Sequence, residues 1–292
     1  MINKTTKNRI KELMLQYQSL SYTHSSALNE IALAEVSEMV YNSNAIENST
    51  LSLKDTEDII LRETISKDHD IREIYEAKNL ANITTELLKN PSERLTTNLV
   101  LSLHGILMNG IDDTHAGRFR TGKEWVRIGA HVGANPAFVS DMASSLIEQS
   151  NNDKKRYFLD NIAHFHAEFE IIHPFSDGNG RIGRVIVNKQ LMALGYPPLI
   201  IHNKGKKTDY YPLFDNYLKN GQYDGFTELF AVLLIESLHK RIAIITSPQI
   251  IPLAQWARNN NLSGNVVANK ARRQTIPAFR MNSRWMIAED FK

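Results

Sequence analysis

Residues 173–184 read His-Pro-Phe-Ser-Asp-Gly-Asn-Gly-Arg-Ile-Gly-Arg, which places an imidazole, a carboxylate and two guanidinium groups within twelve positions. Apolar residues recur at three- and four-residue spacing on both sides of this stretch: Ile162, Phe165, Phe169 and Ile172 before it, and Ile182, Val185, Ile186 and Leu191 after it. The spacing predicts one helix that ends at Pro174 and a second that starts after the glycines. A surface turn would explain Asp-Gly-Asn-Gly alone, but not its place between two apolar helices.

The turn between these helices predicts an anion-binding site. The first turn of a helix presents unpaired N–H groups and the positive end of the helix dipole, and Gly178 and Gly180 allow a ligand to approach the backbone closely. Arg181 and Arg184 are three residues apart and share one face of the second helix, where both guanidinium groups can bind phosphate oxygens.

Two further side chains predict the chemistry. Asp177 offers the hard oxygen ligand that Mg²⁺ prefers between phosphates. His173 has the type of side chain whose ordinary pKa suits a general base near neutral pH. Together with the anion site, these residues predict transfer of a phosphate-containing group to a hydroxyl.

The same twelve residues match every defined position of His-x-Phe-x-Asp-Gly-Asn-Gly-Arg-x-x-Arg and so resemble the signature of the Fic family. The similarity extends from about residue 30 to about residue 240. It implies a mainly α-helical core with a β-hairpin flap, and transfer of AMP from Mg·ATP to a Tyr, Ser or Thr hydroxyl of a target protein by a nucleotidyltransferase. Related Doc-type phosphotransferases lack the Gly-Asn-Gly run, so the resemblance favours adenylyl transfer over phosphorylation.

The resemblance also implies roles for individual residues. His173 would be the catalytic base, Asp177 the Mg²⁺ ligand and Phe175 a structural anchor of the motif. Without the resemblance, the adjacent Tyr210 and Tyr211 near a helix start would be interpreted as packing residues. The nucleotide-binding residues implied are Asp177, Gly178, Asn179, Gly180, Arg181, Ile182, Gly183, Arg184, Val126, Tyr210 and Tyr211.

Residues 43–48, Ser-Asn-Ala-Ile-Glu-Asn, resemble the Ser/Thr-x-x-x-Glu-Gly/Asn motif of autoinhibited Fic proteins. Without that resemblance they read as a polar helix end with a solvated glutamate. The resemblance implies that Ser43 and Glu47 are inhibitory, since a carboxylate paired with Arg184 occupies the place of the ATP γ-phosphate. ATP would still bind, but with its α-phosphate turned away from attack.

Apolar periodicity predicts further helices over residues 8–20, 25–41, 53–62, 71–88, 96–108 and 226–245. Alternating residues on both sides of Gly122 predict a hairpin. The segment 117–138 resembles the Fic flap, with its Gly-x-Phe-Arg-Thr start, which implies that the target protein docks there as an added strand. Gly133-Ala134-Asn135-Pro136 stand where relatives often have a Pro-Pro pair, and an ordinary surface hairpin is the alternative.

The C-terminal segment predicts a small winged helix-turn-helix-like domain. A helix is expected from Ile251, a second from Ser263 to Arg273, and a strand pair over residues 276–287 that turns at Asn282-Ser283. The outline resembles the excisionase-like DNA-binding fold, with Lys270, Arg272 and Arg273 on the recognition helix, and implies DNA as a partner. A packing or dimer element is the alternative, and a homodimer is compatible with the sequence.

Charge and composition support this division. From residue 249 onward, seven basic residues face two acidic ones, so this segment carries +5 and the remainder −3 of the net +2. With 42% apolar and 23% charged residues the composition is that of a soluble globular protein. The absence of cysteine excludes disulfides and thiolate metal sites and fits the cytoplasm. No signal peptide is visible, and the apolar run Phe226–Leu238 is too short to span a bilayer.

These observations predict three regions: residues 1–50 with the inhibitory motif, a catalytic core over 51–246, and the C-terminal domain over 250–292. Two alternatives to the adenylyltransferase remain open. The same site could remove AMP from a modified protein, with Glu47 positioning water, or the chain could be a nucleotide-sensing DNA-binding regulator. The presence of His173 favours an enzyme, because a sensor needs no base at that position.

Overall fold

The computed structural model describes residues 2–65, 68–129 and 131–291. Ala130 of the predicted flap lies outside these ranges, as do Ser66 and Lys67 of the predicted core and Met1 and Lys292 at the ends of the predicted domains. The helices are α1 (Lys4–Thr23), α2 (Ser25–Ala34), α3 (Val36–Ile46), α4 (Leu53–Leu61), α5 (Ile71–Lys89), α6 (Thr97–Met108), α7 (Val139–Asn152), α8 (Phe158–Ile172), α9 (Asn179–Ala193), α10 (Tyr211–Asn220), α11 (Asp224–Thr246), α12 (Leu253–Asn259) and α13 (Gly264–Arg272). The strands are β1 (Arg127–Ile128), β2 (His131–Val132), β3 (Ile250–Pro252), β4 (Phe279–Met281) and β5 (Arg284–Ala288).

The described residues form two compact units. The larger unit comprises residues 36–195 and 201–227, and the smaller one residues 2–35, 196–200 and 228–291. This division differs from the predicted regions in two respects. Residues 196–200 and 228–246 of the predicted core belong to the smaller unit. The inhibitory motif groups with the predicted core, whereas the two helices that precede it group with the C-terminal segment.

The core of the larger unit confirms the helix, turn and helix predicted around His173. Helix α8 packs along α9, and both contribute fully buried side chains such as Phe165, Phe169 and Ile182 to one apolar cluster. Phe175, in the turn, is fully buried in the same cluster. The mainly α-helical fold class is therefore confirmed.

Most other predicted helices of the larger unit are present. Ser52 forms a capping box with Asp55 at the start of α4, and Thr96 caps α6. Helix α7 was not predicted, because its apolar residues are sparse. The helix predicted over 25–41 is interrupted at Glu35, which no glycine or proline marks. Within the smaller unit, the buried Glu35 carboxylate pairs with Lys240 and Arg241 of α11, a contact that local sequence cannot reveal.

The predicted hairpin around Gly122 is wrong in position. Strands β1 and β2 pair after it, with Arg127 opposite Val132. Residues 117–121 do not form a strand, because Arg118 pairs with Glu124 at 2.7 Å and Arg120 turns inward to bind backbone carbonyl groups. The alternation of polar and apolar residues in this stretch arises because Arg118 and Arg120 make these polar contacts, not because the stretch is a strand.

The C-terminal segment lies in the smaller unit, and its helix, helix and hairpin order agrees with the prediction. The hairpin turns at Asn282 and Ser283, which have φ of 49° and 63°. Ile251 and Pro252, predicted to begin a helix, instead belong to β3, and the sheet has the order β3-β5-β4, because Ile251 pairs with Ile287. Ser263 precedes α13 but makes no capping side-chain hydrogen bond.

Helix α11 contacts this segment within the smaller unit. The Glu236 carboxylate accepts hydrogen bonds from the backbone and guanidinium of Arg280, and Gln274 pairs with His239 at 2.8 Å. Along the described chain, no helix combines the length and apolarity needed to cross a membrane.

Candidate active site

His173 ends α8, and its backbone and imidazole are both held by neighbouring groups. It adopts the left-handed region, φ 52° and ψ 64°, directly before Pro174, which disfavours a helical conformation in the preceding residue. Its Nδ1 lies 3.2 Å from the backbone oxygen of Glu170, which assigns the proton to Nδ1 and leaves the Nε2 lone pair free. Burial, with a smaller contribution from Arg120, lowers the pKa of His173 to about 4. The imidazole is therefore neutral near pH 7 and able to accept a proton.

Arg120 holds this histidine in place. Its guanidinium is 1% exposed and donates to the backbone oxygens of His173 at 2.6 Å and Ile172 at 2.9 Å, and also to that of Ala134. Arg120 therefore joins the end of α8 to Ala134, within the predicted flap segment and after β2. The sequence placed it in a strand, and only its position in the Gly-x-Phe-Arg-Thr run could have marked it.

Asn179 closes the glycine-rich turn. Its Oδ1 accepts from the backbone N–H of Phe175, and its Nδ2 donates to the backbone oxygen of Phe175, both at 2.8 Å. Asn179 is 2% exposed and Ile182 is fully buried. Of these two predicted nucleotide-binding residues, the side chains thus serve the fold, and only backbone groups remain for a ligand.

His104 supports the turn from α6 and was missed by the sequence analysis. Its ring stacks on Phe175 with centroids 3.7 Å apart. Its Nδ1 accepts from the N–H of Gly117, so Nε2 donates to the backbone oxygen of Asp177, each at 3.1 Å. Burial lowers the pKa of His104 to about 4. A lone histidine in an apolar helix gives no sequence sign of this role.

Asp177 lies in a network of alternating charges. Arg181 reaches Asp177 Oδ1 at 3.2 Å and Glu76 Oε1 at 2.8 Å, and the more exposed Arg72 pairs with Asp177 Oδ2. Burial opposes ionisation of Asp177, but Arg181, the N–H of Gly178 and Arg72 outweigh it and hold the pKa of this carboxyl below its usual value. Arg72 and Glu76, both on α5, were not predicted.

Arg184 is bound by the predicted inhibitory residues. Its Nη2 lies 2.8 Å from Glu47 Oε1 and donates to the Ser43 backbone oxygen at 2.9 Å, while its Nε donates to Ser43 Oγ at 3.0 Å. A Cβ on Gly180 would lie 2.2 Å from Glu47 Oε1, so the glycine makes room for this carboxylate. Burial disfavours the charge of Arg184, but Glu47 more than compensates and raises its pKa.

The end of α3, which carries the predicted inhibitory motif, is held by two side chains from beyond α9. Lys206 Nζ donates to the backbone oxygens of Ala45 at 2.7 Å and Ile46 at 3.0 Å. Tyr211 Oη donates to the same Ile46 oxygen at 2.6 Å. These donors satisfy carbonyl groups at the C-terminus of α3, where a helix leaves them unpaired. Lys206 was not predicted.

Tyr210 contacts one of the two histidines of α8, and the other packs against a different ring. Tyr210 is 3% exposed, and its Oη lies 2.7 Å from His166 Nε2. His164 lies edge-on to Tyr223, so the two histidines do not share a ligand. Among the described residues, no group of three or more potential ligands is placed to hold a metal ion.

Many of the predicted site residues line one cavity of about 750 Å³. Glu47, His173, Gly180, Arg184, Tyr210 and Tyr211 all line it. Asp177, Arg181 and Val126 are not among its lining residues. Several other residues that line the cavity were not predicted from the sequence: Ile128 and His131 of the flap, Glu170 and Ile171 of α8, and Phe214, Asp215, Leu218 and Lys219 of α10.

Comparison with known proteins finds similarity over the segment that contributes His173, Gly180 and Arg184 to this site. A model of the Fic/DOC family matches residues 94–191. The chain is 32% identical over 180 residues to protein adenylyltransferase Fic of Aedes aegypti, covering 59% of this chain and 35% of that protein. It is 26% identical over 269 residues to the protein of that name from Drosophila mojavensis, covering 90% of this chain and 52% of that protein. The chain thus spans about a third to half the length of these relatives.

Two solved structures share the fold. A Fic-domain signalling protein from Bacteroides thetaiotaomicron superposes with a TM-score of 0.71 at 23% identity, covering 80% of this chain and 95% of that one. A Fic family protein from Desulfovibrio desulfuricans gives 0.67 at 21% identity and covers 100% of this chain and 98% of that one.

Proposed function

We propose that this chain, whose residues 94–191 match a model of the Fic/DOC family, is a protein adenylyltransferase that moves AMP from ATP to a hydroxyl of a target protein. One observation carries the proposal. A neutral imidazole, that of His173, lines the same cavity as Gly180 and Arg184, which belong to the anion-binding start of α9. A base and a phosphate site that share one cavity are what transfer of a phosphate-containing group to a hydroxyl requires.

The reaction follows from this geometry. His173 Nε2 takes the proton of the target hydroxyl as its oxygen bonds to the α-phosphorus, and the bond from that phosphorus to the diphosphate oxygen breaks. N–H groups of the first turn of α9 and the guanidinium of Arg184 stabilise the charge on the phosphates. Burial of the site strengthens these interactions relative to water.

Mg²⁺ fits the same proposal through Asp177. Its side chain is 42% exposed, and that of one of its partners, Arg72, is 48% exposed. An oxygen ligand that is ionised and accessible suits Mg²⁺, which keeps most of its water and binds few protein groups. When bound, the ion would neutralise phosphate charge.

In the resting state the Glu47 carboxylate pairs with the Arg184 guanidinium, and we propose that this contact inhibits transfer. The place of Glu47 beside Gly180 also favours a second candidate function, removal of AMP from a modified protein, because a carboxylate in the cavity can position water for attack.

The target chain would dock on the flap, where Trp125 and Val132 are 55% and 44% exposed. Its backbone would extend the hairpin as an added strand.

The position of the label in ATP tests the proposed function. The Glu47→Gly variant is incubated with Mg²⁺ and ATP labelled on either the α- or the γ-phosphate. Label retained on protein from α-labelled ATP alone supports AMP transfer. Retention of γ-label would identify a phosphotransferase, and release of AMP from a pre-labelled protein would favour the reverse reaction.

Replacing Lys206 with methionine should release part of the inhibition. Charge-assisted hydrogen bonds contribute about 1.5–3 kcal/mol each, and partial exposure of Lys206 reduces this, so we expect self-labelling to rise about threefold to tenfold. Lys207→Met is the matched control, since this exposed neighbour makes no contact with α3 in the described structure. Equal labelling rates for wild type, Lys206→Met and Lys207→Met would contradict the proposed clamp.

Duplex DNA is a second proposed partner, through the C-terminal segment. Lys270, Arg272 and Arg273 are exposed on or next to α13, and Arg284 is exposed at the hairpin. An exposed basic helix next to a basic hairpin suits the phosphates on either side of a groove. A homodimer stays a prediction.

Converting Lys270, Arg272 and Arg273 to glutamine should abolish most DNA affinity of the full chain. Each phosphate contact adds about 0.9 to the slope of log affinity against log salt, so the wild-type slope should exceed the variant slope by about three. Gel shifts at several salt concentrations measure both. Glutamine at Lys78, Lys154 and Lys155 removes the same charge elsewhere, and equal losses in both triple variants would leave the segment as a packing element.

A further inference from the structure

Glu170 is a buried carboxyl group in the cavity for which the reaction described above has no role. It lies on α8, one turn before His173, and its side chain is 11% exposed. Its Oε2 is 4.0 Å from His173 Nδ1. Its Oε1 is buried and has no hydrogen-bond partner within the described ranges. A buried polar atom without a partner is costly, and its retention calls for an explanation.

The second glycine of the signature helix makes room for this group. A Cβ on Gly183 would lie 2.3 Å from Glu170 Oε1. Gly180 and Gly183 are three residues apart and so share one face of α9. Their missing side chains accommodate two carboxyl groups side by side, that of Glu47 at Gly180 and that of Glu170 at Gly183.

We propose that Glu170 is held protonated and donates its O–H to a phosphate oxygen of the bound nucleotide, as an additional nucleotide-binding residue outside the signature. This inference rests on the proposed function, because ATP is its ligand. The carboxyl group lines the cavity beside Arg184 and Gly180, so a phosphate that replaces the Glu47 carboxylate comes to lie next to it. An ionised carboxylate in that place would repel the phosphate instead.

The surroundings of Glu170 favour its neutral form. Burial raises its pKa to about 8, an effect that Arg184 opposes and the charge of Glu47 reinforces. A phosphate in place of Glu47 is likewise anionic and acts in the same direction. Nucleotide binding therefore favours the protonated carboxyl group, and by linkage protonation favours binding. Affinity for ATP is full below about pH 8 and falls as the pH rises through the pKa of Glu170 in the free protein.

Groups on neighbouring elements do not produce the same alkaline loss. His166 and His173 have pKa values lowered by burial to about 3 and about 4, so both are already neutral. Burial raises the pKa of Tyr210 and of Tyr211 above the usual value. Arg184 stays charged.

Lys206 is the group whose titration could most easily produce a similar alkaline loss of ATP affinity, because desolvation lowers its pKa and it lies near Glu47. His131, Asp215 and Lys219 line other walls of the same cavity. All four are retained in a Glu170→Gln variant. An effect that disappears in this variant therefore belongs to Glu170.

Calorimetric titration with Mg·ATP between about pH 7 and about pH 9, in two buffers of different ionisation enthalpy, tests the inference. Wild-type affinity should fall towards a limit of about tenfold per pH unit above about pH 8, with net uptake of up to one proton near that pH. Glutamine keeps an N–H donor and cannot ionise, so Glu170→Gln should bind at about pH 7 within about fivefold of wild type and show neither effect. Glu168→Gln, on the same helix, makes the same change at a carboxylate that bonds Tyr217, and should behave as wild type.

Three results overturn the inference. Wild-type affinity that is constant across this range, without proton uptake, shows that Glu170 does not titrate against the nucleotide. An alkaline loss that persists in Glu170→Gln assigns the titration to another group, such as Lys206. The absence of ATP binding by every variant at every pH overturns the proposed function together with this inference, whereas the first two results leave the proposed function intact.

Discussion

Replacing His173 with alanine should abolish AMP transfer while leaving ATP affinity nearly unchanged. The imidazole acts on the incoming hydroxyl, and its Nδ1 is bound to the Glu170 backbone, so it contributes little to holding the nucleotide. Loss of a general base lowers a rate by roughly 10²–10⁴-fold. The rate of protein labelling from α-labelled ATP is measured in the Glu47→Gly background, and ATP affinity by calorimetry.

His164→Ala supplies the matched control for this prediction. It removes another histidine of α8, one that contacts Tyr223 on a different face, and should label at the parent rate. The pH profile adds a second measurement. Since the pKa of His173 is about 4, the base is neutral above that value, and at saturating ATP the rate should fall on the acid side as the pH drops towards it. Near-normal labelling by His173→Ala would remove this residue from the mechanism.

The sequence predicted the site best where chemistry and local geometry coincide. His173, Gly180 and Arg184 are set within twelve residues by a proline, two glycines and a helical repeat. These features act through nearest neighbours in the chain, so the helix, turn and helix could be read directly. The contact between Glu47 and Arg184 spans 137 residues, and only the resemblance of both motifs to one family made it predictable.

Residues that position the site were missed because nothing local marks them. His104 and Arg120 act through backbone atoms of the turn and of α8, which are distant in sequence. Lys206 binds the end of α3 from 160 and 161 residues away. A polar side chain that binds a remote carbonyl leaves no periodicity, and the same limit explains the misplaced hairpin, where inward Arg120 mimicked strand alternation.

Replacing Glu47 with glycine should raise self-labelling strongly. The carboxylate and Ser43 together hold Arg184 through three contacts of 2.8–3.0 Å. If the Glu47 contact alone, which this variant removes, holds Arg184 by about 1.5–3 kcal/mol, its loss frees Arg184 for the γ-phosphate and corresponds to a rise of roughly tenfold to hundredfold. Stability should change by less than about 1 kcal/mol, because Glu47 is 39% exposed and solvent screens the pair. Thermal unfolding measures that part of the prediction.

Glu63→Gly separates the role of the Glu47 carboxylate from a general effect of glycine. Glu63 is exposed and has φ 54°, so glycine fits there without strain, and labelling should stay at the wild-type rate.

Arg184→Ala distinguishes the release of Arg184 from Glu47 from the loss of the Arg184 guanidinium itself. Since Arg184 binds Glu47 in the resting state and the γ-phosphate in the active one, its removal should not activate the enzyme. The double variant of Glu47→Gly with Arg184→Ala should then label as slowly as Arg184→Ala alone, because no carboxylate remains to be released and no guanidinium remains to hold the phosphate. Activation of the double variant to the Glu47→Gly rate would show that Glu47 inhibits by another route. A wild-type rate equal to that of Glu47→Gly would show that the carboxylate does not inhibit at all.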